Sequence, residues 1–164
     1  MKKITYLPIG ELHTEYTPQT GAPRQGSLKP EGKGVIEIYP EYRSALQTLD
    51  LFEQIIVIYH MDRVKSWDPV VEPPASDHKH QFGLFATRTP RRPNPIGFAV
   101  IKLEKVSEGK LFVSGIDAFD GTPVLDVKPY LPSVDRVNSA RNVSVEYMLG
   151  HHDKDFITDS NFFE

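Results

Sequence analysis

A chain of 164 residues is long enough for one domain that buries roughly 70% of its unfolded surface, so a core forms without covalent staples. It contains no cysteine, which excludes disulfides, cysteine zinc sites and thiol nucleophiles and fits a reducing cytoplasm. A net charge of −3 argues against a protein that coats nucleic acid with its whole surface, while leaving room for a local basic patch.

Met1-Lys2-Lys3 is followed by mixed polar residues rather than a secretory apolar segment, and no apolar run approaches the ~20 residues of a membrane span. A soluble, cytoplasmic protein is expected. Fourteen prolines and eleven glycines spread along the chain imply many turns and short strands, more like a barrel than a helical bundle.

In chain order, residues 4–13 read as a first strand interrupted around Pro8-Ile9-Gly10. Residues 15–33 lack periodicity and form a long loop that carries Pro23-Arg24-Gln25. Residues 34–39 alternate and branch at Cβ as a second strand. Residues 41–52 place Tyr42, Ala45, Leu46, Leu49 and Phe52 on one apolar stripe, the clearest helix, with Pro40 and Glu41 at its start.

The next run, residues 54–60 (QIIVIYH), is apolar at consecutive positions and predicts a central strand buried on both faces, ending in His60. A polar loop follows, in which His78 and His80 alternate but have no third ligand near them, so no metal site is expected. Residues 98–106 and 111–116 pair as a hairpin around Ser107-Glu108-Gly109, and residues 123–130 add a last strand. The tail from Ser133 is more polar, with a weak helical or extended stretch at 143–149 and a mobile end around His151-His152-Asp153. The whole predicts a mostly β fold: a small antiparallel β-barrel of about six strands with one main α-helix. Residues 1–135 form the barrel domain, and residues 136–164 are a partly mobile extension of it.

Two stretches stand out. Residues 83–97 (GLFATRTPRRPNPIG) open on a brief buried strand over 83–87, then place Arg88, Arg91 and Arg92 among three prolines. The prolines remove backbone donors and fix φ, giving a stiff loop that holds cationic forks at small entropy cost. An ordinary basic surface loop is the plainer alternative. Residues 117–131 (DAFDGTPVLDVKPYL) set an Asp120-Gly121 turn between apolar runs, with Asp117 and Asp126 on either side. No dinucleotide fingerprint, P-loop, zincin helix or G-x-S-x-G elbow is present.

Together these stretches, ATRTPRRPNPIG and DAFDGTPVLDVKPYLP, resemble the TsaA-like (TrmO-type) family of β-barrel S-adenosylmethionine-dependent tRNA methyltransferases. Ile9-Gly10, the APRQ run ending at Gln25, and IVIYH ending at His60 agree in order. The resemblance covers roughly residues 4–135. It implies a cofactor site for S-adenosyl-L-methionine formed by Pro23, Arg24, Gln25, His60, Met61, Arg88, Phe98, Phe119, Asp120, Gly121 and Thr122. It also implies N6-methylation of threonylcarbamoyl-adenosine next to the anticodon of tRNA, in a homodimer, with no membrane or DNA partner. Longer members carry a further C-terminal domain, for which this sequence has no room. A non-catalytic cofactor-binding sensor is therefore the alternative function.

Methyl transfer from a sulfonium needs alignment more than covalent help, and the exocyclic nitrogen is a poor nucleophile that benefits from a proton acceptor. Asn94 and Asp117 are the candidate catalytic residues. Lys79, Arg91 and Arg92 are candidates for phosphates of a single-stranded RNA loop.

Overall fold

The computed structural model describes residues 2–72, 79–137, 145, 148, 157 and 158. Its strands in chain order are β1 (Gly10–Thr14), β2 (Ala22–Pro23), β3 (Lys33–Ile38), β4 (Gln54–His60), β5 (Val70–Val71), β6 (Phe82–Gly83), β7 (Ile96–Ser107), β8 (Lys110–Ser114), β9 (Thr122–Pro129) and β10 (Ile157–Thr158). Six of them close a barrel in the order β1-β3-β8-β7-β4-β9, with every neighbour antiparallel and β9 returning to β1. Closure leaves no open sheet edge among these six. The expected six-stranded antiparallel barrel is the fold.

Period-two alternation fills the barrel. Leu12, Ile36, Ile38, Ile55, Val57, Ile101, Leu111, Val113 and Val124 point inward with almost no exposure, each worth about 1.5–3 kcal/mol of burial. On β4 this alternation corrects the expectation of a strand covered on both faces. Ile55, Val57 and Tyr59 are buried, whereas Ile56, Ile58 and His60 on the outer face are only half-buried. A closed barrel offers one interior, so consecutive apolar residues put half their side chains outside.

Three other boundaries differ from expectation. Pairing of the first strand starts after Pro8, with the Ile9 N–H bonded to Val124 O, and Ile4, Tyr6 and Leu7 lie exposed before it. The helical segment after β3 is present, but Pro40–Leu46 and Leu49–Leu51 are wound as two 3-10 pieces, broken where Thr48 takes φ 66°. Tyr42, Leu46 and Leu49 still pack on the core; Ala45 is exposed. The brief strand expected over residues 83–87 is a 3-10 turn, Leu84–Ala86, following the two residues of β6. Arg92 Nη1 donates to the Thr87 carbonyl at 2.9 Å, with the Leu84 and Thr89 carbonyls at 3.5 Å. Those carbonyls face an arginine instead of a neighbouring strand. After β9 comes a short α-helix, α1 (Pro132–Asp135); of the 143–149 stretch only Val145 and Met148 are among the described residues, both helical, and the 151–153 end lies outside them.

Register decides where the loops collect. His60 at the end of β4 pairs with Ile96 at the start of β7, Thr14 at the end of β1 pairs with Gly34, and Thr122 opens β9 opposite Leu12. The long connections 15–32, 61–95 and 115–121 therefore all emerge at one end of the barrel. The other end carries the 3-10 segment and the tight β7–β8 turn, where Glu108 and Gly109 both take positive φ (53° and 78°).

Gly97 pairs with Tyr59, and a Cβ there would enter the Tyr59 ring. Gly97→Ala is expected to lower stability by about 1–3 kcal/mol, as overpacking does, measured by denaturant unfolding. An unchanged midpoint would mean the ring has somewhere else to go.

Candidate functional site

Asp117 lies in the connection from β8 to β9, just after Gly115 turns the chain with φ 79°. Its Oδ2 accepts the Gly26 backbone N–H at 3.0 Å, and its Oδ1 accepts the Tyr59 hydroxyl at 2.9 Å. One carboxylate thus ties the first long loop and the end of β4 to the third loop. Gly26 reaches this position because it has no side chain: a Cβ would collide with the Gly115 carbonyl. Burial raises the Asp117 pKa from 3.8 to about 6, opposed by the bonds from Tyr59, Gly26 and its own backbone N–H and by the charge of Arg88. Burial, reinforced by the neighbouring Asp117 charge, holds the Tyr59 hydroxyl well above its usual range, so it remains a neutral donor.

Arg88, exposed at the stiff loop's start, donates from Nη1 to Gln25 Oε1 at 2.6 Å, and Gln25 Nε2 donates to the Arg24 carbonyl at 2.7 Å. The second and first loops are therefore joined beside Asp117. A guanidinium held this way keeps further N–H groups for an anionic ligand.

A second knot lies at the Asp120-Gly121 turn, where Gly121 takes φ 78°. The Asp120 N–H donates to Tyr16 O and the Gly121 N–H to Leu12 O, both at 2.8 Å; Asp120 Oδ1 accepts the Thr14 N–H at 3.1 Å and lies 3.5 Å from His13 Nδ1. Arg63 Nη2 donates to the Asp120 carbonyl at 2.6 Å, while its guanidinium sits 5.4 Å from the Phe119 ring centroid. Thr122 is buried as β9 begins.

Among the residues singled out in the sequence, Gln25, Arg88 and Asp117 converge, and Phe119 to Thr122 form the neighbouring turn. Pro23 is buried in β2, which pairs with β10. The Met61 N–H donates to Pro95 O at 2.8 Å, so Met61 and the segment holding exposed Asn94 meet beyond the end of β4. His60 and Phe98 lie instead on the outer surface of β4 and β7. Arg91 Nη2 bonds Ser66 Oγ at 3.0 Å and Asp68 Oδ2 at 3.3 Å, and Arg92 is occupied by carbonyls of its own loop. Lys79 is exposed, and His78 lies outside the described residues. Sequence reasoning missed Tyr59 and Arg63. Tyr59 reads as one more apolar residue of a strand, and nothing in the local pattern of Arg63 announces the turn it grips.

The sequence profile of the tRNA-methyltransferase O N-terminal domain matches residues 11–136. The chain belongs to this family. It is 41% identical over 132 residues to a probable S-adenosyl-L-methionine-binding protein of Pyrococcus abyssi, covering 80% of this chain and 71% of that protein. It is 37% identical over 146 residues to the tRNA (adenine(37)-N6)-methyltransferase of Mus musculus, covering 84% of this chain and 32% of the mouse protein. The crystal structure of TrmO from Pseudomonas aeruginosa superposes with a TM-score of 0.70 at 34% identity, over 86% of this chain and 61% of that one. The chain thus spans about a third of the mouse enzyme and under two thirds of the solved TrmO.

Because the folded state holds the Asp117 proton more tightly than the unfolded chain, wild type is expected to lose stability relative to Asp117→Asn as pH rises from about 4 to 6, by on the order of 2 kcal/mol. Tyr59→Phe removes a bond that favours the carboxylate, so the same transition is expected at higher pH in that variant. Urea unfolding across this range measures both; a flat difference would remove Asp117 as the titrating group.

Proposed function

We propose that the chain transfers the methyl group of S-adenosyl-L-methionine to the exocyclic N6 of a threonylcarbamoyl-adenosine beside the anticodon of tRNA. The name of the mouse relative supports N6-methylation of adenine 37 in tRNA, the threonylcarbamoyl group being what the family resemblance implies, and the names of the archaeal relative and of the solved TrmO support the cofactor and family. The single observation that carries the reading is the convergence of three loops on Gln25, Arg88 and Asp117.

The cofactor is a zwitterionic amino acid joined through a sulfonium to adenosine. In this reading Arg88, steadied by Gln25, binds its carboxylate, with Arg24 beside them. The Phe119 to Thr122 turn, closed by Arg63, offers the Asp120 carboxylate to hydroxyl or ammonium groups, and the backbone at Gly121 allows close approach. Met61 and Pro23 supply apolar lining. When bound, the cofactor supplies an activated methyl; the chain's task is to align the nucleophile and exclude water.

With the cofactor bound, methylation of N6 would release the N6 proton, which would need an acceptor on this chain. Asp117 suits that role, since a carboxylate with a pKa near 6 is a stronger base than an ordinary one, and it retains lone pairs beyond those used by Gly26 and Tyr59. Asn94 is proposed to orient the base. Lys79, Arg91 and Arg92 give the acceptor RNA its local positive potential. The cytoplasm, where a chain without cysteine is at home, is the proposed location, and the β2–β10 pairing supports reading residues 136–164 as an extension of the barrel domain.

A homodimer is part of the proposal. On the outer face of β7, Ile96, Phe98 and Val100 are 45%, 50% and 39% exposed, and they pair with His60, Ile58 and Ile56 of β4. An apolar patch of this kind, with His60 at its edge, suits a second copy of the chain. Val100→Arg is expected to shift a dimer to monomer in sedimentation equilibrium; a wild type that is already monomeric would end this part of the reading.

Transfer of a labelled methyl from S-adenosylmethionine to tRNA from cells lacking this gene, against an unmodified transcript, tests the reaction. Label in the cellular tRNA alone is expected, with Arg88→Ala weakening cofactor binding at least about tenfold. No label in either RNA, alongside clear cofactor binding by calorimetry, would favour a non-catalytic sensor.

A further inference from the structure

Phe85 is an anomaly in an otherwise well-packed loop. The 3-10 turn Leu84–Ala86 buries Leu84 to 3% exposure and yet leaves 82% of Phe85, the largest side chain in it, in water. A Phe ring exposed to that degree forgoes most of the stabilisation that burying it would bring. Nor is the ring loose in its setting. Arg92, held by the Leu84, Thr87 and Thr89 carbonyls, places its guanidinium carbon 5.7 Å from the Phe85 ring centroid. The Leu84 N–H is bonded to Pro69 O at 2.9 Å, and the Thr87 hydroxyl donates to the Leu84 carbonyl at 2.8 Å. The backbone on both sides of Phe85 is thus fixed, and a cation stands against the ring.

Along its own segment the charge has one sign, and Asp68, which precedes β5, is paired with Arg91 at 3.3 Å. From Lys79 to Pro95 the chain carries Lys79, Arg88, Arg91 and Arg92 and no acidic residue, although the protein as a whole has a net charge of −3. Phe85 is three residues from Arg88, so their Cα atoms are at most ~11 Å apart. An exposed aromatic ring on an ordered, acid-free cationic loop beside a ligand site is the device by which proteins hold single-stranded nucleic acid: every base has a π-face, and the backbone it belongs to is an anion.

We propose that Phe85 is the stacking platform for an unpaired base of the acceptor RNA, a nucleotide near the one presented to the Gln25, Arg88 and Asp117 cluster. The assignment rests on the reading of this chain as an enzyme acting on tRNA. Arg92 acts through Phe85: it holds the turn and polarises the ring, while exposed Lys79 adds positive potential toward the backbone phosphates. Stacking is indifferent to base identity, so Phe85 adds affinity and orientation, and selection among sequences lies elsewhere. A protein partner is the competing occupant. It is disfavoured because the Phe85 ring lies against the Arg92 guanidinium and its turn neighbours are buried Leu84 and the small Ala86, with half-exposed Val70, paired to Gly83, the apolar residue set beside the turn.

The test compares wild type, Phe85→Ala and Phe85→Trp, using an anticodon stem-loop RNA with 2-aminopurine in its loop, tRNA for turnover, and calorimetry for S-adenosylmethionine. Phe85→Ala is expected to weaken stem-loop binding about tenfold or more, to relieve the quenching of 2-aminopurine, and to raise KM for tRNA with kcat and cofactor affinity retained. Phe85→Trp is expected to restore binding and quenching. Wild-type turnover with unchanged RNA affinity in Phe85→Ala would overturn the stacking role and leave the enzymatic reading standing. Phe85-dependent RNA binding with no methyl transfer would do the reverse. A wild type that does not bind the stem-loop overturns both, and a change of oligomeric state in Phe85→Ala overturns the stacking role in favour of a subunit contact.

Discussion

The site depends on one half-buried carboxylate. Asp117 receives a hydrogen bond from the backbone of the first long loop and another from a side chain at the end of β4, and it lies near the guanidinium that begins the stiff proline loop. The partners come from the first long loop, the end of β4 and the proline loop, and the register of the barrel brings all three to the same end. Removing a half-buried acceptor of this kind leaves the Gly26 and Tyr59 donors unsatisfied, which costs more than the bonds themselves contribute. The closeness of Gly26 to Gly115 is part of the same arrangement, because a side chain at residue 26 would lift the first loop away from the carboxylate.

Tyr59 shows how the barrel core and the site share parts. Its ring belongs to the interior and is seated on Gly97, while its hydroxyl reaches Asp117. The glycine that ends the proline loop motif is therefore a packing requirement of a residue on the neighbouring strand. This explains in physical terms why the motif runs on past the prolines to Ile96-Gly97: the loop that presents Arg88 and the strand that seats Tyr59 are one continuous piece of chain. A change at residue 97 would reach Asp117 through the ring without touching any ligand.

The strands were legible because a closed barrel writes itself as alternation, and β3, β7, β8 and β9 lie within a few residues of where the pattern puts them. The 3-10 segment was harder. Its apolar stripe reports which side chains meet the core, but the left-handed Thr48 that divides it leaves no mark in the pattern. Residues 83–87 misread as a strand because Leu84 and Thr87 are buried, and their spacing does not reveal that Arg92 takes their carbonyls. For the site, acids and arginines in unusual company were visible as Asp117, Arg88 and the Asp120 turn. The roles of Tyr59, Gly26 and Arg63 depend on pairs 58, 91 and 57 residues apart in the chain, and no local pattern encodes such pairings.

Arg91 and Arg92 change the meaning of the basic loop. On sequence they look like cations aimed at phosphate, yet one grips Ser66 and Asp68 and the other is held by backbone carbonyls. Three prolines limit where the backbone can go, and these two arginines fasten it to the rest of the second loop. Stiffness comes from the prolines and placement from the arginines. Arg91 is partly neutralised by Asp68, whereas Arg92, set among neutral carbonyls, keeps its charge and its potential. In a chain of net charge −3, cations fixed in this way stay together at one end of the barrel.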